Sequence, residues 1–67
     1  MIDAKLIFTK HEDRWDQTVL DLNGNVLFEF KNILLSPDQL NKQYFDDWEN
    51  QMRMFNQWNI VEVERFL

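Results

Sequence analysis

The sequence predicts an α+β fold: a three-stranded antiparallel meander, one long amphipathic helix packed on one face, and a short C-terminal strand (β-β-β-α-β). Three observations carry this. Apolar and polar residues alternate over 2–9, 15–21 and 25–31, the period-two signature of half-buried strands. Asp21-Leu22-Asn23-Gly24-Asn25 has the composition of a hairpin turn. An aromatic-rich amphipathic stretch then runs from Ser36-Pro37-Asp38-Gln39-Leu40 to Trp58.

In the first strand Ile2, Ala4, Leu6 and Phe8 share one side, opposed by Asp3, Lys5, Ile7 and Thr9. Lys10 to Arg14 is too charged to bury and reads as a turn. The second strand sets Thr18, Leu20 and Leu22 against Gln17, Val19 and Asp21; the third sets Val26, Phe28 and Phe30 against Leu27 and Glu29. At the turn between them, the Asp21 carboxylate suits the first position, and Gly24 supplies a left-handed residue followed by a bulge. This register pairs Leu20 with Val26, Thr18 with Phe28 and Val19 with Leu27. It places Phe8, Leu20, Val26, Phe28 and Phe30 beneath the helix.

The helix start is marked by Ser36 as N-cap, Pro37 at the first position and Gln39 completing a capping box, with Leu35 and Leu40 as a hydrophobic staple. At 100° per residue, Leu40, Tyr44, Phe45, Trp48, Met52, Phe55 and Trp58 fall within an arc of about 140°. Of these, Leu40, Tyr44, Trp48, Met52 and Phe55 are expected on the sheet. Asn59 suits a helix stop. The β-branched alternation from Ile60 to Phe66 then reads as a fourth strand.

A chain of 67 residues is expected to be one domain, 1–67. At this size the fold buries only about 60% of its unfolded surface and is marginal without a staple. No cysteine offers a disulfide, which leaves a dense core, oligomerisation or a bound partner, and the ten aromatics supply the first. The lack of cysteine fits a reducing compartment. The N-terminus has no signal-peptide pattern, and no apolar run approaches the ~20 residues of a membrane span. A cytoplasmic location and no membrane contact are therefore expected. The net charge of −5 is spread along the chain: residues 1–34 hold six acidic groups against four basic, residues 35–67 six against three. Such a surface repels phosphate backbones, disfavours direct nucleic-acid binding, and suits basic protein partners.

Catalytic material is thin. His11 is the sole histidine and lies in a charged turn; Ser36, the sole serine, is accounted for by its cap. Acid–base work requires a carboxyl in an apolar pocket; Asp46 falls on the solvated side of the helix, and Asp47, nearer the boundary beside Tyr44 and Met54, is the least ordinary of the helix carboxylates. The Asp21–Asn25 turn superficially matches a calcium loop, but its glycine stands at position four rather than six, and position twelve is Asn32 rather than glutamate. His11, Glu12, Asp13 and Asp16 lie too close along one turn to converge on an ion. No zinc pattern, Walker loop or dinucleotide turn is present. The expectation is a non-enzymatic protein without metal or cofactor.

A binding role follows by elimination, with two sets of candidates. Asp46, Asp47, Glu49, Glu62 and Glu64 would present acidic groups to a basic partner. Ile7, Val19 and Leu27, flanked by Trp15, would form an apolar patch on the open sheet face, with Met54 and Trp58 as a second patch at the helix end. In size and charge the chain is similar to phage-encoded inhibitors such as anti-CRISPR or DNA-mimic proteins, a likeness of class that no motif carries. It implies inhibition of a nucleic-acid-handling enzyme. The alternative is a homo-oligomeric structural or accessory subunit that buries the open-face patch against a second copy.

Overall fold

The computed structural model describes residues 2–54 and 58–66. Among them the chain forms strands β1 (Ile2–His11), β2 (Arg14–Asp21) and β3 (Val26–Leu34), a single 3-10 turn at Pro37–Gln39, helix α1 (Lys42–Met54) and strand β4 (Trp58–Phe66). The β-β-β-α-β order is the one the sequence predicts. The strands lie in the order β3-β2-β1-β4. β1 and β2 are antiparallel, as are β2 and β3, whereas β4 runs parallel to β1 on its other side. The segment after β3 therefore crosses the sheet from one edge to the other and carries α1 over one face. A parallel pair requires such a crossover, and a helix is its usual content.

Both hairpin turns are explained locally. Glu12, with φ of 57°, closes β1 to β2 in two residues, so both strands extend further into the charged segment than expected. In the second turn the Gly24 N–H donates to the Asp21 carbonyl at 3.1 Å, and Gly24 has φ of 89°. The Asp21 carboxylate accepts from the Asn23 and Asn25 backbone N–H groups at 2.9 and 2.8 Å and from Asn25 Nδ2 at 3.0 Å. Those bonds, the Asn25 side-chain bond foremost, hold this carboxyl below the usual range.

Register is where the sequence reading fails. Leu20 pairs with Val26 as expected, but Leu27 is then bulged out, so Val19 pairs with Phe28 and Thr18 with Glu29. A one-residue slip exchanges the faces of every later side chain. The covered face consists of Ala4, Leu6 and Phe8 from β1 and Trp15, Gln17 and Val19 from β2, all buried. Thr18 and Leu20 turn to the open face. Trp15 and Val19, expected on the open face, are 3% and 0% exposed in the core. Leu27 also departs from the expected patch, packing partly buried against that core. A further bulge near Asn32, whose φ is 59°, brings Ile33 opposite Trp15.

The helix begins later and ends earlier than the sequence suggests. Ser36 heads the 3-10 turn, where the Gln39 side-chain oxygen accepts from its backbone N–H at 2.8 Å. Asn41 caps α1 itself, its Oδ1 accepting from the Tyr44 N–H at 2.8 Å. Leu40 lies outside the helix and is exposed, and Leu35 joins the core. Phe45 is the buried helix residue, with Tyr44, Trp48 and Met52 packed against the core more loosely. Phe55 lies outside the described residues. Trp58 starts β4 rather than finishing the helix.

The core is an aromatic cluster. Phe8 meets Phe45 edge-on at 5.5 Å and Trp48 at 4.7 Å, and Trp15 meets Phe45 at 5.0 Å between ring centroids. Two arginines fasten helix to strand. Arg53 from α1 donates to the Ile60 carbonyl at 2.7 Å, next to the register shift in β4. Arg65 from β4 donates to Asp46 at 2.9 Å and Glu49 at 3.2 Å, with its guanidinium 5.8 Å from the Phe45 ring centroid.

Candidate functional site

A single α-helix is about 10 Å across, whereas four strands at ~4.8 Å spacing are wider than that. Here α1 sits over Phe8 and Trp15 and is fastened to β4, so the β3 side of the same face is left uncovered. Between them lies a groove of about 480 Å³, a size common for binding sites. One wall is Phe28, Phe30 and Ile33 of β3; the other is Tyr44, Asp47, Trp48, Gln51 and Met52 of α1; Gln17 of β2 contributes the floor. Phe28 is 39% and Phe30 55% exposed.

Two polar features stand out in this apolar trough. The Gln17 side chain is 2% exposed, and its Nε2 has no hydrogen-bond partner among the described residues. An orphaned buried amide costs roughly 1–3 kcal/mol, and native proteins rarely keep one. Asp47 stands on the helix wall with one oxygen accepting from Gln43 Nε2 at 2.9 Å and no cation paired to it among the described residues.

The other candidate carboxylates are occupied. Asp46 accepts from Lys42 at 2.8 Å and from Arg65 at 2.9 Å, and these bonds, Lys42 first, hold it below the usual carboxylate range. Glu49 is bound by Arg53 and Arg65. Glu62 and Glu64 lie with Lys5 on the open face of the sheet, at 3.9 and 2.6 Å from its ammonium; the Glu64 bond raises the Lys5 pKa. The five acidic candidates therefore divide between opposite sides of the sheet and do not form one row. Ile7 shares the open face, half-buried among Lys5, Thr9, Thr18 and Leu20. Met54 is 85% exposed at the end of α1, while Trp58 reaches across to Phe28, 5.9 Å between rings.

His11 Nε2 donates to Asp16 Oδ1 at 3.0 Å, and Asp16 also accepts from the Asn32 N–H at 3.0 Å. The Asn32 bond is the larger cause holding Asp16 below its ordinary pKa, with His11 second. That arrangement clamps the bulge in β3 rather than defining a reaction centre. A second depression of about 550 Å³ is lined by Lys10, Lys42, Arg65, Trp15, Phe45, Leu40 and Asn41. Two of its cations already hold Asp46 and its two aromatic rings are buried, so it offers a ligand less. No cluster of metal-ligating residues occurs among the described residues, and no described helix is long and apolar enough to cross a membrane.

Sequence reasoning missed Gln17, Phe28 and Phe30 as site residues. The signal was a glutamine alternating with Trp15 and Val19, a polar residue on what proves to be the buried face. Comparison with family models, curated proteins and solved structures finds no match.

Proposed function

We propose that this chain is a small acidic protein-interaction module that binds and modulates a larger, basic protein, without catalysis. The observation that carries the reading is the exposed aromatic groove beside Asp47, a carboxylate with no cation paired to it among the described residues, in a chain of net charge −5. Exposed aromatic rings beside a fixed charge suit recognition of a chain carrying apolar and basic residues. The groove supports this form of the reading over phosphate mimicry, because Asp46, Glu49, Glu62 and Glu64 are neutralised within the chain and face two ways.

The test is affinity capture of the tagged protein from a matched lysate, washed at low and then high salt, with mass spectrometry of the eluate. A stoichiometric basic protein released by salt supports the module. Recovery of the chain alone, with a melting temperature that rises with its concentration, would instead favour a homo-oligomer.

A further inference from the structure

The orphaned Gln17 amide is hard to account for by folding. A leucine or methionine would fill the same site beneath Phe28, Phe30 and Trp48 without burying a donor. A buried polar group left without a partner calls for an explanation, and an acceptor supplied by a bound partner is one. Gln17 lines the floor of the groove with its Nε2 sealed from solvent, so an incoming acceptor meets that donor once the amide turns toward the groove. Above it are rings rather than cations, so a carbonyl oxygen suits it better than a phosphate or carboxylate. Asp47 at the wall accepts positive charge. Alongside runs the outer edge of β3, whose outward backbone groups have no neighbouring strand among the described residues. Bulges at Leu27 and near Asn32 bracket the stretch Phe28–Phe30, which limits any strand added there to a short one.

Resting on the interaction module above, we propose that the groove receives a short extended segment of the partner protein. The segment sets an apolar side chain between Trp48 and the Phe28–Phe30 wall, a backbone carbonyl on Gln17 Nε2, and a lysine or arginine on Asp47. A second copy of this chain is the poorer occupant, since two bodies of net charge −5 repel and Asp47 would meet acidic neighbours more often than basic ones. The Gln17 amide is then a positioning and specificity group that weakens the free fold and strengthens the complex.

The test is selection of a random heptapeptide display library on the full chain, counter-selected against a Phe30→Ser/Asp47→Lys variant. Both positions are exposed, so the variant folds. The expected consensus is an aromatic or long aliphatic residue next to lysine or arginine. A synthetic peptide of that consensus shifts the Gln17 side-chain amide and Trp48 indole signals in a 15N NMR spectrum. Asp47→Lys weakens it at least tenfold. Gln17→Leu weakens it while raising the melting temperature, a pairing that a purely structural role for Gln17 would not give. Failure to enrich any peptide over the variant overturns the proposal, as does a consensus without basic residues that survives Asp47→Lys. A basic protein captured from lysate whose binding ignores Phe30→Ser and Asp47→Lys overturns the groove but leaves the interaction module intact.

Discussion

The two halves of the covered sheet face are built from the same kind of residue and end differently. On β1, Leu6 and Phe8 are fully buried, Phe8 against Phe45 and Trp48; on β3, Phe28 and Phe30 stand on the same side of the sheet and remain partly in water. Hydrophobicity does not separate them. Their distance from the helix axis does, and Arg53 and Arg65 set that axis by tying α1 to β4. Where a helix sits on a wide sheet thus decides which aromatics become core and which become surface.

The sharpest way to break the contrast is to truncate one ring from each half. Phe8→Ala removes a fully buried ring from the centre of the cluster and is expected to cost roughly 3–5 kcal/mol, enough to abolish a cooperative urea transition in a domain this small. A near-parental midpoint would show that the cluster is not the core. Gln17→Leu, on the boundary between the halves, is expected to stabilise by about 1–2 kcal/mol by removing the orphaned donor, read as a higher urea midpoint at unchanged slope. Destabilisation would mean that the amide finds a partner in solution.

Asn41→Ala removes the cap that starts α1 and should cost about 1 kcal/mol in the same assay, more than Ser36→Ala, which touches the 3-10 turn instead. Phe30→Ser, on the uncovered half, should shift stability by less than about 0.5 kcal/mol. A larger loss would place Phe30 in the core with Phe8.

The smallest effect is a pH dependence. Asp16, Asp21 and Asp46 have folded pKa values below their unfolded ones, near 4. Their contribution is therefore complete above about pH 4–5 and is lost as pH falls through the lower folded values. Melting temperature should be nearly level from pH 7 to 5 and decline below 4, with a shallower decline in Asp21→Asn. An equally steep decline in that variant would assign the acid sensitivity to other groups.

What the sequence made legible was local. Asp21, Asn23 and Gly24 specify their turn within five residues, and the β-branched run after Asn59 specifies a strand. The faces of β2 were not legible, because Thr18-Leu20 and Val19 are equally apolar and Trp15 weighs the decision only once a helix is above it. The bulge at Leu27 then reversed the expected pairing of Thr18 and Val19. Trp58 fits an extension of the helical arc as well as a strand start, so the helix end was misplaced. The candidate acidic set could be read as residues but not as geometry: Arg65 meets Asp46 and Glu49 across 19 and 16 positions. The groove depends on where α1 lies, and no motif encodes that.

The parallel pairing of β1 with β4 also governs how the chain comes off the ribosome. Asp3 and Asn59, hydrogen-bonded at 3.0 Å, are 56 positions apart. Hairpins close in about 1–10 μs. Synthesis proceeds at roughly 5–20 residues per second, so β4 follows the end of β3 by about 1–5 s. Through that interval β1, an inner strand of the finished sheet, is an edge. Lys5, which later meets Glu62 and Glu64, is a charge near the centre of that strand, placed where a nascent strand most needs to refuse a neighbour.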